Sequence, residues 1–293
     1  MFRIGIDLGG TKIEGIVLDD GMKEVCRERI PTEQEGGYDH ILRRIGQLHE
    51  TLVSRMSGDG YTLGIGTPGT ISPATGLLNL SNTVCMNGMP VATDLEKMLG
   101  RKVAIQNDAN CFAMAEAALG AGRGRDLVFG VIMGTGCGGG IVYKGEVITG
   151  LQGKGGEWGH MSIDPSGPEC FCGRRGCVET FISGSWQERR YKEKFGEKKK
   201  SREIVDMYRA GDAGAGEIMK DFLMNFGRAI ANLITVMDPD IIVIGGGVSN
   251  IDELYTLGVE EVAKCFDVPI ATPIVKNELG DSAGVIGAAL IGI

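Results

Sequence analysis

Apolar and polar positions repeat in the same way at two places along the chain. RIGIDLGGTKIEGIVLDD (3–20) lies over VFGVIMGTGCGGGIVYKG (128–145) without a gap, at an offset of 125 that sets Gly5 against Gly130 and Gly9 against Gly134. Gly15-Ile16-Val17 then meets Gly140-Ile141-Val142. Each copy reads as an apolar strand, a glycine-rich turn and a second strand of β-branched residues, and such self-similarity predicts two related halves. Elsewhere helix and strand patterns alternate. YDHILRRIGQLHETLVSRM (38–56) has helical spacing, and YTLGIGTPG (61–69) is a strand ending in a Gly/Pro turn. KVAIQ (102–106) is a strand leading into the helix ANCFAMAEAALGAG (109–122). A long amphipathic helix, EIMKDFLMNFGRAIANLITVMD (217–238), feeds the buried strand DIIVIGGG (240–247). SAGVIGAALIGI (282–293) predicts a small-residue helix packed closely on a sheet. The class is therefore mixed α/β. The expected division is a smaller domain over 1–118 and a larger one over 119–280, with the helix at about 281–293 packing back on the first.

The two glycine turns invite other readings. GIDLGGTK resembles a phosphate-binding P-loop, but it ends in Thr11-Lys12 where that motif needs Lys followed by Ser or Thr. GTGCGG (134–139) matches the dinucleotide fingerprint, yet both motifs require a helix next, and here the strands IEGIVLDD and GIVYKGEV follow. Each turn therefore closes a β-hairpin. It is either a tight hairpin with glycines at positive φ or a nest of free amides for phosphate oxygens, and the residues leave both readings open. Asp7 ends the first strand, while its counterpart is Ile132. Since the pattern accepts an apolar residue there, the carboxylate points to Mg²⁺ accompanying phosphate, with a turn-forming aspartate as the alternative.

Composition narrows the partners. A net charge of −8 disfavours a nucleic-acid surface, which needs a clustered basic face. The one basic run, Lys198-Lys199-Lys200, reads as a solvated helix end or loop. MFRIGIDLGG passes directly into a strand pattern and no apolar run is long enough to span a bilayer, so a cytoplasmic location is expected. There, cysteines are thiols or metal ligands rather than disulfides.

CFCGRRGC places Cys170, Cys172 and Cys177 within eight residues, with His160 ten residues upstream. This Cys₃His set predicts a closed tetrahedral zinc site, the alternative being unrelated buried thiols. Cys26, Cys85, Cys111, Cys137 and Cys265 read as small core or loop residues. Glu157 precedes His160 by three residues and Glu179 follows Cys177 by two, so a metal that fixes the loop also fixes two carboxylates. Two aimed carboxylates and an imidazole form a ring suited to sugar hydroxyls, unless the glutamates are plain surface residues. QNDANCF (106–112) sets Asn107, Asp108 and Asn110 between a strand and a helix. One of them suffices as an N-cap; three exceed that need. Asp108 suits a base that takes a proton from a hydroxyl while Asn107 holds a neighbouring hydroxyl, and the helix N-terminus is expected to keep the aspartate ionised.

Together DLGGTK (7–12), GIGTPG (64–69), NDAN (107–110), GTGCGGG (134–140), EWGH (157–160), CFCGRRGCVE (170–179) and IGGG (244–247) resemble the ROK-family sugar kinases over essentially the whole chain. ISPATG (71–76), the SNT…NG stretch (81–88) and CVETFISG (177–184) look most like bacterial fructokinases of that group. The resemblance implies the actin/hexokinase-like, ribonuclease H-like duplicated two-domain ATPase fold, with an interdomain cleft. It implies Asp108 as general base on the 6-hydroxyl of a hexose, fructose first, with glucose, mannose or an N-acetylhexosamine as alternatives. Gly69, Asn82, Asn107, Asp108, Glu157, His160 and Glu179 would bind the sugar, His160 also ligating zinc. Gly9, Gly10, Thr11, Lys12, Gly134, Thr135 and Gly136 would line the phosphates of ATP. Asp7 would position Mg²⁺, and Gly246 would approach the adenosine part. A homodimer is the usual family assembly. Similar fructokinases carry tryptophan where this chain has Cys85, which weakens fructose as the acceptor. ROK repressors share this sugar-binding body but add an N-terminal helix-turn-helix, and a strand pattern beginning at residue 2 is not expected of one.

Overall fold

The computed structural model describes residues 1–58 and 60–293, with two five-stranded sheets as its framework. In the first half, β1 (Phe2–Leu8), β2 (Lys12–Leu18) and β3 (Glu24–Pro31) form an antiparallel meander, followed by α1 (Tyr38–Ser54) and β4 (Tyr61–Thr67). The short pair β5 (Thr70–Ile71) and β6 (Leu78–Asn79), then α2 (Val91–Leu99), lead to β7 (Ala104–Asn107) and α3 (Asp108–Leu119). The second half repeats the scheme with β8 (Leu127–Met133), β9 (Cys137–Tyr143) and β10 (Glu146–Val147). A long loop then reaches α4 (Glu179–Ile182), α5 (Gly184–Phe195), α6 (Ser201–Arg209) and α7 (Ala213–Met237). β11 (Ile241–Gly245), α8 (Leu257–Ala263), β12 (Ile274–Lys276) and α9 (Ala283–Ile291) complete the chain. The orders β3-β2-β1-β4-β7 and β10-β9-β8-β11-β12 match, antiparallel through the hairpins and parallel beyond them. This is the duplicated α/β architecture expected from the resemblance.

The core follows the patterns read from the sequence. α1 buries Ile41, Ile45, Leu48 and Leu52 at helical spacing against Ile4, Ile6 and Leu63 of the first sheet. α7 does the same for the second sheet with Ile218, Phe222, Phe226 and Ile230. The two remaining helices cross over. α3 follows a strand of the first sheet but packs Phe112, Ala113 and Ala115 on Val128 and Val142 of the second. α9 follows a strand of the second sheet and lies on the first, where a Cβ on Gly5 would stand 2.3 Å from Val285 O and one on Gly64 2.0 Å from Ala288 O. The helices meet each other where Gly287 faces Cys111, its Cβ position 1.8 Å from Cys111 O. Small residues in SAGVIGAALIGI serve this close approach.

The ungapped overlay of the hairpins fails at the turns. The first hairpin closes with Leu8 paired to Ile13, leaving four residues between, whereas the second closes with Met133 paired to Cys137, leaving three. Accordingly Gly9 N–H donates to Lys12 O at 2.9 Å, but Gly134 N–H donates to Gly136 O at 2.9 Å. None of Gly9, Gly10, Gly134 and Gly136 adopts positive φ, so the left-handed hairpin reading is wrong for both turns.

Candidate functional site

Asp108 is the first residue of α3, where β7 ends. The helix is capped by Asn107, whose Oδ1 accepts the Ala109 N–H at 2.9 Å. The Asn107 amide also donates to Gly69 O at 3.1 Å. Asn107 thus takes the capping role and ties α3 to the turn after β4. Gly69 has φ +87, and a Cβ there would stand 2.4 Å from Asn79 O, so its glycine serves that turn. Asn110 donates to Gln106 Oε1 at 3.1 Å and is buried in the α3 interface, with its own Oδ1 lacking a partner. Asn82 is exposed in a loop held by Asn87, which both accepts from Ser81 N and donates to Ser81 O at 2.8 Å. Among the described residues its side chain makes no hydrogen bond.

Asp108 is open to solvent on one side while protein crowds it on the others. Desolvation and then the Glu157 carboxylate push its pKa up, against the Ala109 amide and the Asn107 side chain, which pull it down. The expectation that the helix N-terminus keeps this group fully acidic is therefore corrected: burial and a second carboxylate outweigh the amide. Asp7, at the end of β1, is raised to about 6 by burial, then by Asp108 and Glu14, with Lys12 acting the other way. Gly284 at the start of α9 leaves room for it, its Cβ position being 3.2 Å from Asp7 Oδ2. Asp108, at the start of the crossover helix, thus feels Glu157 from the loop of the second half, and Asp7 of the first sheet feels Asp108.

Glu157 and His160 flank a short 3₁₀ turn that is fastened to β9. Trp158 Nε1 donates to Gly138 O at 2.8 Å, and a Cβ on Gly159 would lie 2.0 Å from Cys137 O. His160 Nδ1 stands 3.5 Å from Cys170 Sγ, and Cys172 Sγ is 3.6 Å from Cys177 Sγ. All four donor atoms lie within 4.8 Å of one another. Tetrahedral zinc with Zn–S bonds of about 2.3 Å sets its ligands roughly 3.8 Å apart, so the donor set fits that ion in both chemistry and spacing. Glu179, the first residue of α4, turns toward the second glycine turn, its Oε2 accepting the Cys137 N–H at 2.9 Å.

The glycines of the phosphate-side turns separate into two kinds. A Cβ on Gly136 would stand 2.3 Å from Glu179 Oε2, and one on Gly9 3.0 Å from Lys12 O. A Cβ on Gly134 would meet nothing within 4 Å, and one on Gly10 only Thr83 Oγ1 at 4.0 Å. Packing does not require glycine at these last two positions, which leaves approachable amides. Thr11 is exposed, its carbonyl taken by Thr32 N–H, and Thr135 sits mid-turn between Gly134 and Gly136. Gly246 has φ +81 and its Cβ position lies 2.4 Å from Met133 O, so it is a packing glycine. The next residue, Gly247, is the open one, and it lines a cavity of about 410 Å³ with Ser201, Arg202 and Asn250. A second cavity of about 680 Å³, between α5 and α6, is lined by Ser185, Arg189, Lys192 and Lys198 to Lys200. The basic run borders this opening from the loop that leads into α6, with Lys198 and Lys200 exposed as expected of a solvated helix end.

Glu14 escaped the sequence reading. It is the cross-strand partner of Asp7 and is only 3 % exposed, yet ion-paired to Lys12 at 3.3 Å, Arg27 at 2.8 Å and Arg29 at 2.6 Å. Burial raises and these cations lower its pKa, and the cations prevail. The alternating charges of EVCRERIP were the available signal.

Two sheets of the same strand order carry these carboxylates and glycine turns, and comparison with known proteins gives the family. The chain matches the ROK family over residues 3–292. It is 37% identical to the N-acetyl-D-glucosamine kinase of Pasteurella multocida (strain Pm70), over 99% of this chain and 98% of that protein. Its structure superposes on that of a ROK hexokinase from Thermus thermophilus with TM-score 0.90 and 34% identity, covering 100% and 98% of the two chains. A ROK glucokinase from Streptomyces griseus, solved with glucose and AMPPNP, gives TM-score 0.78 and 27% identity over 100% and 99%. The chain belongs to the ROK family. It is an enzyme of the sugar-kinase type, a phosphotransferase with an alcohol acceptor. Among the described residues no helix is long and apolar enough to cross a membrane.

Proposed function

We propose that the enzyme transfers the terminal phosphoryl group of ATP to the 6-hydroxyl of an N-acetylhexosamine, N-acetyl-D-glucosamine first. The relative at 37% identity over nearly the whole chain, an N-acetyl-D-glucosamine kinase, supports this acceptor. The fructose expectation therefore gives way to its alternative, as the cysteine at position 85 already suggested. The observation that carries the reading is the electrostatic coupling of Glu157 to Asp108 and of Asp108 to Asp7, beside two glycine turns.

In this reading Asp108 takes the proton of the attacking hydroxyl as its oxygen bonds to phosphorus and the phosphoanhydride bond breaks. A pKa raised from the ordinary carboxylate range brings a base closer to working pH, and phosphoryl transfer asks chiefly for positioning and late proton removal. Glu157, Glu179 Oε1, His160 Nε2 and Asn82 hold the other hydroxyls, while Gly69 and Asn107 shape the wall behind them. Gly10, Thr11, Lys12, Gly134 and Thr135 face the phosphates, with Gly9 and Gly136 giving the turns their form. The nucleoside end has room in the cavities beside Ser185, Ser201 and Gly247. Mg²⁺, held near Asp7, would neutralise phosphate charge, and zinc on His160, Cys170, Cys172 and Cys177 would stiffen the loop that carries both glutamates. The family resemblance also favours a homodimer, which sedimentation at micromolar concentration tests.

The deciding experiment is a coupled kinase assay with Mg-ATP across N-acetylglucosamine, N-acetylmannosamine, glucose, mannose and fructose. The highest kcat/KM is expected for N-acetylglucosamine. Turnover of fructose above both acetylated sugars would overturn the acceptor assignment, and turnover of none would overturn the kinase reading.

A further inference from the structure

Glu179 follows Cys177 by two residues, so the loop that carries the metal-ligand cluster also delivers this carboxylate. Its Oε2 accepts the N–H of Cys137, the first residue of β9, at 2.9 Å. The same oxygen occupies the place where a side chain at Gly136 would begin. Five residues further on, Gly184 N–H donates to Gly134 O at 2.8 Å. Both ends of the turn 134–137 are therefore held by the single stretch 179–184. The first glycine turn is held differently, by Thr32, whose hydroxyl donates to Gly9 O at 2.7 Å and whose N–H donates to Thr11 O at 3.0 Å, while its nearby carboxylate, Glu14, is occupied by Lys12, Arg27 and Arg29.

We propose that Glu179 is a positioning residue for the phosphoryl donor, orienting the amides of Gly134, Thr135 and Gly136 through its bond to the Cys137 N–H. The inference rests on the kinase reading above and deepens it. A three-residue loop with glycine at two positions has much backbone freedom to lose on binding phosphate. A hydrogen bond from its last amide to a carboxylate is of the stronger, charge-assisted kind and removes part of that freedom beforehand. With Oε2 committed to the donor turn and Oε1 without a protein partner among the described residues, one side chain serves both substrates. Acceptor and donor binding are then coupled through it, each tightening the other by the same factor.

The test is calorimetric binding of Mg-AMPPNP to the zinc-loaded full chain, without sugar. Glu179→Ala weakens nucleotide binding about tenfold. Glu179→Gln, whose amide oxygen accepts the same N–H, recovers most of that loss. Glu157→Ala raises the sugar Kd and leaves the nucleotide Kd unchanged. Zinc content and thermal midpoint of each variant report whether the loop is intact. Should Glu179→Ala not fold, Gly136→Ala, which keeps the carboxylate but displaces it, gives the same loss. Wild-type nucleotide affinity in the Glu179→Ala or Gly136→Ala protein, or a failure of glutamine to rescue, overturns the proposal. A wild-type enzyme that binds no nucleotide overturns the kinase reading and this inference with it.

Discussion

The turn after β1 and the turn after β8 occupy matching places in two sheets of the same strand order, yet they are built from different materials. The first has four residues between paired strand positions and carries charge in its own hairpin: Asp7 opposite Glu14, with Lys12 in the turn. The second has three, its strands place Ile132 opposite Gly138, and the carboxylate bonded to it is brought from 42 residues away. Matching geometry therefore does not mean matching chemistry. The first half supplies ionisable groups directly from its hairpin, and the second half supplies backbone and imports its charge on the loop that carries the Cys₃His cluster.

The largest test of this asymmetry falls on the one residue that starts the helix between the halves. Asp108→Asn is expected to lower kcat by about 10³-fold, within the range for a lost general base, with sugar affinity nearly unchanged. Near wild-type turnover would remove Asp108 from that role. If the second half depends on its imported loop, Cys172→Ser loses bound zinc and drops kcat/KM by about 10- to 100-fold, read from metal analysis and steady-state kinetics together. Full activity without metal would make the loop a bystander. A subtler probe is Gly134→Ala, whose methyl enters open space. The thermal midpoint should hold while the KM for ATP rises about tenfold, if amides there meet phosphate. An unchanged KM would mean that the turn is only a hairpin.

The smallest effect concerns the first half's own charge. Asp7 binds its proton more tightly folded than unfolded, with a value of about 6 against 3.8. The stability this gives is fully present below pH 3.8 and is lost as pH rises through 6. Metal-free Asp7→Asn should therefore be more stable than wild type at pH 8, by on the order of 1 kcal/mol, with the gap closing toward pH 4. Denaturant unfolding at the two pH values decides it, and an equal gap at both would show that Asp7 is not crowded as described.

Amphipathic spacing made α1 and α7 legible in the sequence, because each buries one regular face. α3 and the hairpin strands, buried on more than one side, were legible as apolar runs beside turn and cap residues. β3 went unread, since an edge strand of alternating charge resembles a surface loop until Glu14 is seen beneath Arg27 and Arg29. α5 and α6 were hidden by their polar composition, and with them the cavity bordered by Lys198 to Lys200. Within the site, local motifs revealed the cysteine cluster and Asp108. The bond from Cys137 to Glu179 could not be read, because nothing local in either segment encodes a partner so far along the chain. The one-residue difference between the turns was invisible for a related reason: glycines align in either register.

The crossed helices α3 and α9 have a practical consequence for anyone cutting the gene. Each sheet is roofed by a helix encoded with the other, so a fragment ending at residue 118 would leave Gly5 and Gly64 bare where Ala288 and Ala289 should sit. Its complement would lack Phe112 and Ala113 over Val128. Neither piece should be soluble when expressed singly, whereas the two produced together have the means to lace back into one molecule.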